Sequence, residues 1–196
     1  TTGPLNEEGT VLYRVSGIGL STDLQATDNS RDRVAVAPSL TWRPTAETSL
    51  TLLSLYQRDT TRGSPMNYLP AAGTALWNPN GRLPTDVYLG EPEWDRWNRT
   101  VYAIGYLLEH AATDWLTLRN SYRYLHNDLD LRAVYRRALA ADYRTLTRST
   151  FTAVEAADLQ TVDTNGEIRF TTGPATHTVL LGTDYRWLQG STLRGA

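Results

Sequence analysis

The stretch RVAVAPSLTW, residues 33–42, sets the reading of the whole chain. Val34, Val36, Pro38, Leu40 and Trp42 fall on one side of a two-residue period; Arg33, Ala35, Ala37, Ser39 and Thr41 fall on the other. Successive side chains of a strand point to opposite faces, so this is a strand with one apolar face and one small or polar face. Residues 43–48, with Pro44, close it as a turn.

Working outward, the same alternation recurs. Residues 10–20 set Val11, Tyr13 and Val15 against Leu12, Arg14 and Ser16, weakened by Gly17 and Gly19. Residues 49–57 put Leu50, Leu52, Ser54 and Tyr56 on one face. Residues 99–110 set Tyr102, Ile104, Tyr106 and Leu108 against Ala103, Gly105 and Glu109. Residues 115–125 set Leu116, Leu118, Asn120, Tyr122 and Tyr124 against Thr117, Arg119, Ser121 and Arg123. Residues 159–170 set Val162, Thr164, Gly166, Ile168 and Phe170 against Asp163, Asn165, Glu167 and Arg169. Residues 177–188 set Val179, Leu181, Thr183, Tyr185 and Trp187 against Gly182, Asp184 and Arg186. The expected fold is all-β, an antiparallel meander of about seven strands.

The connections point to a membrane. Residues 21–32 are a medium link, residues 43–48, 111–114 and 171–176 are short, and residues 58–98 and 126–158 are long and without period. In a meander every second connection lies on the same side, so the short turns share one side and the long loops the other. Trp42, Trp115 and Phe170 lie beside short turns, and Tyr56, Tyr102 and Tyr124 lie toward the long loops. Strands of about 9–11 residues, one-sided loop lengths and two aromatic girdles describe a transmembrane β-barrel. A soluble β-sandwich or lipocalin-like barrel also alternates, but loops of this length are uncommon in compact soluble domains.

Composition narrows the function. The 196 residues hold no cysteine, which excludes disulfides, thiolate metal sites and cysteine nucleophiles. All 19 basic residues are arginine and the net charge is −2, so there is no basic footprint for nucleic acid. No apolar run reaches the roughly 18 residues of a membrane helix. Seven strands is an odd number, and an open sheet would leave unpaired edges in hydrocarbon. The chain, which starts at Thr1 without a leader, is therefore expected to be an excised part of a larger barrel. A barrel of about 22 strands at this spacing needs roughly 600 residues.

Catalytic motifs are scarce. His110, His126 and His177 are far apart, and no HExxH, GxSxG or phosphate loop is present. His126 with Asp128 and Asp130 is the best acid–base candidate, and equally reads as a solvated strand end. Asp128-Leu129-Asp130 is too short for a calcium loop and lacks its glycine. The long connections are richer. Residues 58–98 carry Tyr68, Trp77, Tyr88, Trp94 and Trp97 with Arg58, Arg62, Arg82 and Arg96. Residues 126–158 carry Tyr135 and Tyr143 with Arg132, Arg136, Arg137, Arg144 and Arg148. Rings interleaved with guanidinium groups suit a vestibule for a bulky polar ligand. The same rings can instead pack the loops together, with the arginines facing acidic lipopolysaccharide.

Ordered motifs carry a resemblance across essentially the whole chain. Ala37-Pro38-Ser39-Leu40-Thr41-Trp42-Arg43-Pro44 is followed by Thr48-Ser49-Leu50-Thr51-Leu52-Leu53, Tyr68-Leu69-Pro70, Gly73-Thr74 and the run from Pro79 to Asp86. Ile104-Gly105-Tyr106, Glu109-His110, Thr117-Leu118-Arg119-Asn120, Val134-Tyr135, Val162-Asp163-Thr164 and the run from His177 to Asp184 complete it. This order resembles the barrel of TonB-dependent outer-membrane siderophore receptors, nearest the ferrichrome and ferric-hydroxamate branch.

The resemblance implies a 22-stranded barrel with an N-terminal plug in the outer membrane of a Gram-negative bacterium. It would import a ferric siderophore with energy from the TonB complex. Residues 1–196 would form one partial barrel domain, with the plug, its TonB-contacting segment and the remaining strands outside it. The siderophore's own oxygens would hold the iron, so neither a cofactor, a protein metal ligand nor a catalytic residue is expected. Partners would be the ferric siderophore, the TonB complex, outer-membrane lipid and lipopolysaccharide, with no nucleic acid. The branch lines its ligand pocket with aromatic residues that fall here at Met66, Tyr68 and Tyr135. Met66 stands where an aromatic is expected, and Arg136 and Arg137 replace a Gly/Tyr pair, which favours a more anionic chelate than ferrichrome. Arg33, Arg119, Arg123, Asp163, Glu167, Arg169, Asp184 and Arg186 would face the lumen, the plug and water. A passive porin, or a barrel hydrolase using His126, Asp128 or Asp130, are the other readings.

Overall fold

A computed structural model describes residues 1–195. Eight strands form it: β1 Thr2–Pro4, β2 Val11–Asp23, β3 Ser30–Thr45, β4 Thr48–Arg62, β5 Arg96–Thr113, β6 Leu116–Leu139, β7 Leu146–Thr172 and β8 Ala175–Gly195. They make one antiparallel sheet in chain order, and no helix occurs among the described residues.

Register assembles the alternating faces into rows. One row crosses seven strands as Tyr13, Leu40, Leu52, Tyr106, Tyr122, Val162 and Tyr185. The next row is Leu12, Thr41, Thr51, Leu107, Ser121, Asp163 and Asp184. The first is apolar and aromatic; the second is mixed and polar, with Thr41 and Thr51 joined through their hydroxyls at 2.9 Å. A slip of one residue in any pair would exchange the two faces. Val34, Trp42, Leu52 and Ile104 on the apolar face are about half exposed or more in the sheet, the pattern of the outer surface of a membrane barrel.

Polar groups follow the same division. Asn120 sits on the apolar face, where an unpaired amide is costly. Tyr106 donates its hydroxyl to Asn120 Oδ1 (2.6 Å), and Asn120 Nδ2 donates to Thr164 Oγ1 (2.7 Å). On the polar face Arg119 bridges Glu109 (2.7 Å) and Glu167 (3.0 Å), and Glu167 also pairs Arg169 (2.5 Å). That chain of charges ties β5, β6 and β7 near their short-turn ends. Gly105 marks a close approach of β5 to β6, because a Cβ there would run into the backbone oxygen of Tyr122.

The structure corrects the sequence reading in three places. It adds β1, whose three residues include Gly3 and Pro4 and are too few to carry a period. The other seven strands are longer than 9–11 residues, β6 reaching 24 and β7 27. Residues 126–158 are not a loop: β6 and β7 stay paired from His126↔Asp158 to Leu139↔Leu146, leaving a turn at residues 140–145. The connection expected at 58–98 likewise shrinks to 63–95, and that at 21–32 to 24–29. Above the apolar band the polar residues His126, Asp128, Asp130 and Arg132 take the parity that is apolar below, so the period changes sense while the backbone ladder continues. The sidedness holds: residues 5–10, 46–47, 114–115 and 173–174 lie at one end, and residues 24–29, 63–95 and 140–145 at the other.

The facing makes a direct prediction. Leu52→Arg in the intact protein places a guanidinium in lipid and should cost about 2–4 kcal/mol of folding stability in bilayers. Thr51→Arg, on the opposite face of the same strand, should cost far less. Urea titration of the barrel in lipid measures both, and equal losses would contradict the assignment.

Candidate functional site

The residues singled out by sequence lie at the long-loop end, where loop 63–95 meets β6. The concave side there holds the buried apolar residues Val101, Leu131, Ala133 and Ala153, all on the polar-face parity of their strands. The loop is therefore folded against the wall rather than free.

Asp95 is the chief fastener. It is 2% exposed, and its carboxylate accepts hydrogen bonds from Tyr88 Oη (2.5 Å), the Glu91 N–H (2.9 Å) and the Val134 N–H of β6 (2.7 Å). Tyr88 Oη in turn accepts the Ser64 N–H at 2.8 Å. Burial and the neighbouring Asp95 push the Tyr88 phenol well above its usual pKa. Asn67 closes the loop on itself, donating to the Val87 carbonyl and accepting the Leu89 N–H. Arg148 of β7 donates to the Leu89 and Gly90 carbonyls and pairs Glu91 at 2.6 Å. Gly63 has φ +82° and packs where any Cβ would strike Asn29, so β4 can leave the sheet only through glycine.

The far end of the loop reaches the β6–β7 turn. Asn78 Nδ2 donates to the Tyr143 carbonyl (3.0 Å), and Asn80 Nδ2 donates to the Asp142 carbonyl (3.1 Å). Asp142 builds that turn, accepting from the N–H groups of Arg144 and Thr145 and from the Thr145 hydroxyl. Those three donors hold its carboxyl down at about 2.

Within this frame Tyr68 and Tyr135 meet edge to face with ring centroids 6.3 Å apart. Arg136 Nε donates to the Tyr68 carbonyl at 2.9 Å, tying the two segments together. Met66 is two residues before Tyr68, its carbonyl accepting the Tyr68 N–H. Arg137 occupies the β-bulge between Arg136 and Ala138, is exposed, and has no ion-pair partner among the described residues. Four of the five expected site residues are thus brought together, and Arg137 stands at the rim beside them.

The other rings and arginines sort by their contacts. Tyr88 is structural, and Trp77 is 79% exposed. Arg62 pairs Glu93, Arg96 pairs Asp130 and Arg148 pairs Glu91, so these three brace the loops. The sequence reading missed Asp95, Asn67 and Asn78. Their only signal is a hydrogen-bonding side chain inside a loop rich in Gly and Pro.

His126 sits between Asp128 (3.0 Å) and Asp158 (2.8 Å), stacked on Tyr102 at 4.8 Å, and Tyr124 Oη donates to Asp158 at 2.5 Å. The sheet register puts all five residues on the parity of the apolar face, at the long-loop girdle rather than on the lumen side. Among the described residues no serine or threonine hydroxyl hydrogen-bonds His126, Asp128 or Asp158. Asp130 is engaged instead with Arg96.

No protein-family model matches the chain. It is 31% identical over 199 residues to the ferrichrome outer membrane transporter/phage receptor of Escherichia coli K12, which spans 92% of this chain and 26% of that protein. It is 32% identical over 185 residues to the ferrioxamine B receptor of Salmonella typhimurium, covering 94% of this chain and 26% of that one. The structure superposes with TM-score 0.85 on the ferripyoverdine receptor of the Pseudomonas aeruginosa outer membrane, at 16% identity, covering 97% of this chain and 26% of that one. The fold is that of part of an outer-membrane receptor barrel. The relatives are siderophore receptors of the outer membrane, transport proteins and not enzymes, which sets aside the hydrolase reading of His126, Asp128 and Asp130. The chain spans about a quarter of the length of the curated relatives it matches.

Two tests address the fastening. Tyr88→Phe leaves the Ser64 N–H without a partner and removes one of the two donors to Asp95 Oδ2, a loss of about 1–3 kcal/mol. Limited proteolysis of the intact barrel should then cut within residues 63–95 faster than in wild type. The phenol's raised pKa stabilises the folded loop below about pH 10 and is lost as pH climbs above that value. Asp142 has the opposite sign. Its lowered pKa gives stability that is complete above about pH 4 and lost as pH falls toward 2. Amide exchange at Arg144 and Thr145 should accelerate across that window, and Asp142→Ala should remove the pH dependence.

Proposed function

We propose that residues 1–196 are one part of the barrel of a TonB-dependent receptor that takes up ferric siderophores of the hydroxamate type. The supporting observation is the Tyr68–Tyr135 pair, drawn from two separate segments at the long-loop mouth and held by Arg136. Edge-to-face rings with an open side offer apolar area and a polar tip to a rounded complex. Iron enclosed by siderophore oxygens needs no ligand from the protein. The kinship to receptors for ferrichrome and ferrioxamine B favours hydroxamates over other chelates. Met66, Tyr68 and Tyr135 would contact the chelate, and Arg136 and Arg137 would add attraction for anionic substituents.

The wall alone moves nothing across the membrane. A plug within the closed barrel, coupled to TonB, would release the captured complex inward, and the polar face from Arg33 to Arg186 would hydrogen-bond that plug and water. The outward face would contact outer-membrane lipid and lipopolysaccharide.

The reading is tested with the full-length protein in cells lacking other hydroxamate receptors. Uptake of iron-loaded ferrichrome or ferrioxamine should require this protein and stop when TonB is removed. Tyr68→Ala with Tyr135→Ala should weaken chelate binding about tenfold, in proportion to the 0.5–1.5 kcal/mol of an aromatic contact and its buried area. Uptake that continues without TonB would instead identify a passive porin.

A further inference from the structure

Loop 63–95 and the β6–β7 turn enclose a hollow of about 340 Å³ that lies outside the tyrosine pair. Pro70, Leu83, Leu139 and Leu146 give it apolar sides, and Arg82 and Arg144 are among its lining residues. Its place follows from the chain. Pro70 is two residues beyond Tyr68 and Leu139 two beyond Arg137, so the hollow adjoins the same segments one step nearer the outermost turn.

The arginines here differ from the bracing ones. Arg62, Arg96 and Arg148 are occupied by carboxylates, whereas Arg82 and Arg144 enter no ion pair among the described residues. Asp142, two residues before Arg144, is turned into its own turn by the N–H groups of Arg144 and Thr145 and the Thr145 hydroxyl. The floor is fixed. Asn78 is 9% exposed, donates to the Tyr143 carbonyl and accepts from the backbone and side chain of Asn80. Tyr143, beside it, is held at φ +56°, a conformation that costs a bulky residue free energy and persists only where the surroundings impose it.

We propose that this hollow is a second, outer binding site for a small carboxylate-bearing ligand. It rests on the receptor reading and deepens it: the ligand is a chelate whose periphery carries free carboxylates, met first at Arg82 and Arg144 and then at Tyr68 and Tyr135. A guanidinium fork matches a planar carboxylate in two parallel hydrogen bonds. The leucine and proline sides accommodate the hydrocarbon that carries it, and the volume lies at the lower end of small-molecule sites. A neutral chelate has no group for the two arginines and gains nothing from the site.

The experiment compares two ferric trihydroxamates, one bearing free carboxylates and the other with those carboxylates amidated, by titration of the full-length receptor in detergent. In Arg82→Gln with Arg144→Gln, the carboxylated chelate should bind about tenfold more weakly and the neutral one unchanged, as expected for lost charge-assisted hydrogen bonds. Arg82→Lys with Arg144→Lys should recover part of the loss. Iron-free citrate, added to wild type, should weaken only the carboxylated chelate, a readout that needs no variant. No change for either chelate, an equal loss for both, or no effect of citrate would overturn the outer site. A wild-type protein that binds neither chelate would overturn the receptor reading itself, and the outer site with it.

Discussion

In hydrocarbon, a backbone N–H or C=O without a partner costs several kcal/mol, and that constraint shapes this sheet more than any side-chain contact. Each strand from β2 to β7 is paired on both sides, in chain order and without a crossover. The ladder removes the backbone from the problem and leaves the side chains to sort by face. The row through Leu40, Leu52, Tyr106 and Tyr122 then suits an apolar surrounding, and the row through Thr41, Thr51 and Ser121 an aqueous one. Asn120 shows how strict the rule is, since its amide stands on the apolar side only because Tyr106 and Thr164 take up both ends.

Outside the band the constraint changes. Water can satisfy the backbone, so the chain is free to leave the sheet, and loop 63–95 does so for 33 residues between β4 and β5. What orders the loop is a small set of polar fasteners buried at its base and tip. Asp95 collects three donors from two segments, and Asn78 links the tip to the β6–β7 turn. With both ends held, Tyr68 can be set against Tyr135 in a fixed geometry. Tyr88 of the loop and Arg148 of β7 brace it, while Arg82 of the loop and Arg137 of β6 enter no ion pair among the described residues.

Much of this was legible in the sequence, and the limits have physical causes. Residues 33–42 and 99–110 could be read because one face is in lipid and the other in water, which prints a two-residue period. Residues 126–158 could not, because His126, Asp128, Asp130 and Arg132 take the parity that is apolar lower in the strand while Leu129, Leu131 and Ala133 take the other, so the sense of the period reverses although the backbones remain paired. β1 is too short for any period. Of the candidate site, Tyr68, Tyr135 and Arg136 were singled out from the sequence and lie together in the structure, since rings and guanidinium groups stand out in a loop. Asp95 was not, because a single acidic residue in a loop is ordinary until its three donors are seen around it.

The account stands or falls on which side of the sheet meets lipid. The most direct measurement is a scan of single cysteines through residues 100–108 and 126–134 of the intact protein in bilayers, each carrying a nitroxide label, with oxygen and a water-soluble relaxation agent as probes. Labels at 102, 104, 106 and 108 should favour oxygen and those at 103, 105 and 107 the aqueous agent, with the alternation fading to uniform water access at 128, 130 and 132. An absent or reversed alternation in the first stretch would contradict a membrane-spanning wall with the Tyr102–Leu108 side in lipid.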